Sequence, residues 1–171
     1  MKILLKTERL ILREFELSDA PFIFELLNSP GWLQYIGDRG IKTLKDAEHY
    51  LSNRLIPSYA KWGFGFYVCL DRETGQPVGT CGLVDREGLE DVDIGYALLP
   101  AFEGQGFAFE STAAMAEYAK EILGIKRLVA ITTKDNERSI HLLERLDFHH
   151  DGQVQLPGDN EVLNLYVNVK T

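Results

Sequence analysis

Residues Glu103, Gly104, Gln105, Gly106, Phe107 and Ala108 form a short stretch suited to holding an anion. Two glycines between a strand and a helix let the backbone approach a ligand closely. The first turn of the helix then offers unpaired N–H groups and the positive end of its dipole to a phosphate. A Walker loop would need Lys and Ser or Thr after the second glycine, and Phe107 and Ala108 stand there instead. A dinucleotide fingerprint would need a small residue at Phe109 and an acid about 20 residues on, where Thr132 and Thr133 lie. Upstream, Asp91 and Asp93 sit two apart on an alternating strand and so share a face. Close carboxylates raise one pKa and make a base for an amine. The same pair also suits attraction of a cationic substrate, or plain solvation on an exposed face.

Other reactive side chains offer less. Cys69 and Cys81 have neither CxxC nor zinc spacing and fall in predicted strands, so they read as buried free thiols. His49, His141, His149 and His150 show no metal-ligand spacing, and no metal is expected. The chain has 171 residues, 45% hydrophobic and 26% charged, which suits a single domain over 1–171. Its net charge of −8 argues against nucleic acid or an anionic membrane as partner and favours a cationic one such as an amine. No apolar run is long enough for a membrane span or a signal peptide, so a cytoplasmic location is expected.

The elements that must position these residues follow from periodicity. Strands are predicted over 7–14, 64–71, 77–85, 91–99, 126–133, 148–155 and 161–169, with the second and third joined as a hairpin through residues 72–76. Ser18 or Asp19 opens a helix carrying Phe22, Ile23, Leu26 and Leu27. Thr43 and Asp46 open a second, ending before Pro57. The glycine turn leads into a third over 105–123, and Asp135 or Asn136 caps a fourth. Residues 32–42 read as irregular, either a loop packed by its own aromatics or one wall of a substrate cleft. The sum is an α+β domain: a central mixed, mostly antiparallel sheet of about seven strands flanked by about four helices.

Residues 103–108 match the fourth and sixth positions of the pattern Gln or Arg, x, x, Gly, x, Gly or Ala. In this respect the chain resembles the GNAT acyltransferases, and more narrowly their RimJ/RimL-like branch. The likeness extends over four segments in order: residues 7–13, Asp93 to Tyr96, Gly104 to Glu110, and Asn136 to Phe148. It implies the acyl-CoA N-acyltransferase fold and acetyl-CoA as co-substrate. Backbone amides at Gly104, Gln105, Gly106, Phe107 and Ala108 would grip the pyrophosphate. Leu98 and Leu99 would lie along the pantetheine arm, which Asn136 would contact. Glu103 departs from the pattern, since a carboxylate beside a pyrophosphate repels it unless it points away.

Asp93 stands where the family's corresponding strand often carries a Glu base, with Asp91 beside it. Many members place a general-acid Tyr where this chain has Leu143. Ser139, one turn earlier, is the nearest hydroxyl for that role. Trp32, Tyr35, Phe64 and Phe66 are candidates for the acceptor's walls, against the alternative of ordinary packing. The expected acceptor is an amine on a peptide, protein or small molecule. An α-amine of pKa about 8 is neutral in roughly a tenth of molecules at pH 7, a lysine side chain in fewer than about one in a thousand. That difference favours a protein or peptide N-terminus, with a small-molecule amine or a coenzyme-binding module without turnover as alternatives. The resemblance implies a monomer or homodimer.

Overall fold

Side chains along the central strands alternate between two cores, and this alternation fixes where the glycine turn emerges. The computed structural model of the protein describes residues 1–169. Its strands are β1 (Ile3–Lys6), β2 (Leu10–Glu14), β3 (Phe66–Asp71), β4 (Pro77–Val84), β5 (Val92–Leu98), β6 (Arg127–Thr132), β7 (His149–Val154) and β8 (Leu163–Val169). They form one eight-stranded sheet in the order β1-β2-β3-β4-β5-β6-β8-β7. Every neighbouring pair is antiparallel except β5 with β6. Along β3, Tyr67 and Cys69 enter one core, while Val68 and Leu70 enter the other. That is the period of two expected of a sheet covered on both faces.

The expected count of seven strands is one short. The predicted first strand over 7–14 is the second half of a β1–β2 hairpin. Thr7 turns the chain there, its N–H donating to Leu10 O at 2.9 Å while its hydroxyl accepts from Leu10 N at 3.0 Å.

The helices are α1 (Ala20–Leu27), α2 (Pro30–Tyr35), α3 (Leu44–Tyr50), α4 (Pro57–Trp62), α5 (Phe107–Glu121) and α6 (Glu137–Arg145). Residues 32–35, read from sequence as irregular, belong to α2, whose first residue Pro30 has its φ already set for a helix. Thr43 and Asp46 cap α3 reciprocally as expected. The chain does not leave the helix before Pro57. A π-helical turn over Leu51–Leu55, closed by Ile56 N to Leu51 O at 2.9 Å, widens the backbone, and Pro57 opens α4. Gly63, with φ +80°, ends it.

Helix α5 lies on the sheet through Met115 and Ala119, both fully buried with Leu12, Cys81 and Leu128. Truncating such a core side chain costs roughly 2–5 kcal/mol. The opposite core joins Ile23, Leu26, Ala47 and Leu51 of the α1 to α4 layer to Val68 and Leu70. Cys69 and Cys81 are buried free thiols, and burial pushes Cys81 up to about 12 against a hydrogen bond with Thr112. Among the described residues no helix is long and apolar enough to cross a membrane, and no cluster of His, Cys, Asp and Glu forms a metal site.

Candidate active site

Strands β5 and β6 are paired only at Val92 with Leu128 and Asp93 with Val129. Beyond Asp93 they part, although β5 stays paired to β4 as far as Leu98. The far half of β5 therefore presents a free backbone edge to the gap. Above this gap lies a cleft of about 1700 Å³, walled by β5, the glycine turn, the first turns of α5 and α6, and the α2–α4 layer.

At the end of β5 a 3₁₀ turn (Pro100–Phe102) leads into the glycine turn. Gly104 and Gly106 have φ of +74° and +84°, left-handed values that L side chains rarely adopt. Gly106 is the N-cap of α5, so the Phe107, Ala108 and Phe109 amides have no partner within the helix. Arg9 braces this corner. Its Nη1 donates to Gln105 O at 2.9 Å, its Nε donates to Glu110 Oε2 at 2.7 Å, and its guanidinium lies 4.4 Å from the Phe107 ring centre. Glu110 Oε1 also accepts from Thr7 Oγ1 and from Arg9 N. This network gives a physical reason for the Thr7 to Arg9 segment of the family pattern.

The expected coenzyme residues divide by what they can offer. Gly104, Gly106, Ala108, Leu98 and Asn136 line the cleft. The Phe107 ring is buried beneath Arg9, and the Gln105 amide is turned back to Ala101 O at 3.1 Å. Those two residues have only backbone to give. The Leu99 side chain packs into the opposite core, away from the cleft. Asn136 caps α6, its Oδ1 accepting from Ser139 N at 3.3 Å. Glu103 is turned sideways to Arg138, whose Nη1 donates to its Oε2 at 3.1 Å.

Asp93 is not the solvated strand acid that its alternating neighbours suggest. It is 2% exposed; Oδ2 accepts from Arg86 Nε at 3.0 Å, while Oδ1 is buried without a hydrogen bond. Burial raises its pKa to about 6, against the opposing charge and hydrogen bond of Arg86. The expected coupling to Asp91 does not occur. Asp91 lies before β5, accepts from Arg127 Nε at 2.9 Å and does not line the cleft. Asp93 thus owes its shift to desolvation.

Trp32, Tyr35 and Phe66 line the cleft, and Tyr50 joins them. Phe64 does not; it packs against the α5 core. Gly95 lets Phe66 approach β5, since a Cβ there would stand 3.3 Å from its ring. Leu143 is 3% exposed and cannot supply a proton. Ser139 Oγ lies 2.9 Å from Tyr96 Oη, a residue that reasoning from the sequence missed. Its parity with Ile94 and Leu98 was the available signal, because side chains at i and i+2 on β5 share the α5 and α6 side.

A sheet that splits beside a glycine turn, with a helix N-terminus at the split and a buried acid on the diverging strand, defines a coenzyme-dependent acyl-transfer fold. A family model described as acetyltransferase (GNAT) domain matches residues 9–149, and the chain belongs to that family. It is 30% identical over 151 residues to the uncharacterized N-acetyltransferase p20 of Bacillus licheniformis, covering 86% of this chain and 83% of p20. It is also 30% identical over 101 residues to the [ribosomal protein uS5]-alanine N-acetyltransferase of Escherichia coli K12, covering 57% of this chain and 52% of that one. The solved structure of RimL, a ribosomal L7/L12 α-N-protein acetyltransferase in complex with coenzyme A, superposes with a TM-score of 0.81. That likeness spans 98% of both chains at 24% identity.

Proposed function

We propose that this acetyltransferase moves an acetyl group from acetyl-CoA to the α-amine of a protein or peptide by direct attack on the thioester. The observation that carries this reading is the parting of β5 and β6 beside the glycine turn. The first amides of α5 suit a pyrophosphate, the open edge of β5 suits the amides of a pantetheine arm, and Asn136 stands beside that edge. When bound, acetyl-CoA supplies an acyl carbon activated by its thiol leaving group.

The chain's own residues then have to accept a proton from the amine. Asp93 is the group for this. With a pKa of about 6 it is ionised at neutral pH yet basic enough to take a proton, and Oδ1 is the oxygen that Arg86 leaves unpaired. Ser139 faces the other end of the reaction as the hydroxyl toward the departing sulfur. A base of this modest strength favours an α-amine over a lysine side chain, which costs about 3–4 kcal/mol more to deprotonate. The similarity to the E. coli enzyme, named for an alanine of a ribosomal protein, supports a protein amine.

The test is mass spectrometry of products from a mixed library of peptides and small amines incubated with acetyl-CoA. Acetylation of peptide α-amines is expected. Products confined to sugars, polyamines or lysine side chains would overturn the acceptor, and tight coenzyme binding with no acetylated product would overturn turnover itself.

A further inference from the structure

The cleft contains a pair of hydroxyls that meet from different elements. Tyr96 Oη, from β5, and Ser139 Oγ, from the first turn of α6, are 2.9 Å apart. Both residues are half-buried, and both line the cleft where β5 has lost its partner strand. On this wall the two hydroxyls stand with Asn136, Arg138 and His141 of the same helix and its cap, while Leu143 is buried and apolar.

A hydroxyl pair at this distance can be polarised either way, and the surroundings choose. Burial raises the Tyr96 pKa, with the Ser139 hydrogen bond opposing, so the phenol keeps its proton throughout the neutral range. The other titratable or charged groups facing it are Cys81 from β4, Arg138 from α6 and Glu103 from the glycine turn; Arg138 and Glu103 already pair with each other. A phenol that stays protonated is a permanent donor. If it donates to Ser139 Oγ, the serine's own O–H is left free, and a hydroxyl that already accepts one hydrogen bond donates a stronger one.

We propose that Tyr96 is a positioning residue for Ser139, holding the serine O–H toward the sulfur that departs during acetyl transfer. This rests on the acetyl-CoA reading above. In the step it serves, the amine nitrogen bonds to the carbonyl carbon, the C–S bond breaks and its electron pair stays on sulfur. The nitrogen gives up a proton to Asp93 and water. Sulfur accepts the Ser139 O–H while its charge develops and then takes one proton from water, so both hydroxyls finish the cycle protonated.

Tyr96→Phe keeps the ring and deletes only Oη. It is expected to lower kcat about tenfold while the KM for acetyl-CoA stays within about twofold. In a Ser139→Ala background the same change is expected to cost nothing further. An unchanged kcat in Tyr96→Phe, or an equal loss in both backgrounds, would overturn the proposal. A second measurement does not need turnover: the titration of the thiol of bound free coenzyme A, followed by the ultraviolet absorbance of its thiolate. The bound thiol is expected to titrate about 0.5–1 unit lower in the parent protein than in Tyr96→Phe. Identical titrations in the two proteins would overturn the positioning role. A parent protein that acetylates no amine would instead overturn the acetyl-transfer reading, leaving the thiol titration to decide on Tyr96.

Discussion

Arg138 Nη1 donates to Glu103 Oε2 at 3.1 Å, so the residue that departs from the coenzyme-loop pattern is matched by a cation from α6 at the cleft wall. The pair is solvated, with the Glu103 side chain 39% and the Arg138 side chain 76% exposed, and ion pairs of that kind are weak and screened by salt. Glu103 nevertheless keeps Arg138 from acting as a free cation beside the turn. Glu103→Gln is therefore expected to tighten coenzyme A binding about three- to fivefold at low ionic strength, an advantage that fades at high salt. Arg138→Gln is expected to weaken it. Calorimetry over a range of salt concentrations checks both, and affinities in both variants that equal the parent's would show that neither side chain senses the phosphates.

In the proposed mechanism the ionisation of Asp93 acts on activity and on stability with opposite signs. Its pKa of about 6 in the fold exceeds the ordinary carboxylate value near 3.8, so the folded state binds the proton more tightly than the unfolded state. The stability linked to Asp93 is thus fully present below about pH 4 and is lost as the pH rises through about 6, on the order of 3 kcal/mol in all. Over the same interval the carboxylate that the proposed mechanism uses as a base appears. Asp93→Asn is expected to flatten denaturant-measured stability between pH 4 and 6 and to lower kcat/KM about a hundredfold, with loss of the acid limb. A pH–rate profile that keeps its midpoint near 6 in the variant would assign that midpoint to another group.

Asp93 and Asp91 mark the reach of the sequence. The turn, its helix and the hairpin order were legible because glycine placement, caps and periodicity are local signals. Asp93 could be placed on β5, but its burial depends on Arg86 and on the way β5 leaves β6, which are tertiary facts. Strand parity put Asp91 on its face, whereas the pairing of Asp91 with Arg127 depends on β6 folding alongside. The α2 helix was obscured by Pro30 and Gly31, which mark a helix end as readily as a start. The continuation through Pro57 needed a π-turn that propensity does not announce. Tyr96 gained its meaning only when α6 brought Ser139 to it.

Gly106 combines a backbone requirement with a side-chain contact. Its φ of +84° strains any L residue, and a Cβ there would lie 3.2 Å from Arg9 Nη2. Displacing Arg9 would disturb the hydrogen bond to Gln105 O and the stacking on Phe107 that shape the turn. Gly106→Ala is expected to cost about 1–2 kcal/mol of stability and to weaken coenzyme A binding about tenfold or more. Gly37 has φ of +120° and no neighbour within 4 Å of a built Cβ. Gly37→Ala is therefore the control: it too is strained by a positive φ but has no side-chain contact to disturb, and its coenzyme affinity is expected to match the parent's.

The buried pair Arg13 and Asp19 ties β2 to the start of α1. Arg13 Nη2 and Nη1 donate to Asp19 Oδ1 and Oδ2 at 2.7 and 2.8 Å, and Glu16 N donates to Oδ2 at 2.8 Å. Arg13 side-chain exposure is 11% and that of Asp19 is 7%, so removing one partner leaves a charge without compensation in a poorly hydrated place. Asp19→Ala is expected to destabilise the protein by about 3–5 kcal/mol in urea denaturation, whereas Arg13→Met with Asp19→Leu, which removes both charges, costs far less. Helix α1 follows Asp19 directly and leads into α2, which carries Trp32 and Tyr35. In the single variant the acceptor KM is expected to rise while coenzyme affinity holds, because the glycine turn is braced separately by Arg9 and Glu110. A parallel loss of coenzyme affinity would show that the two walls of the cleft are coupled through the sheet.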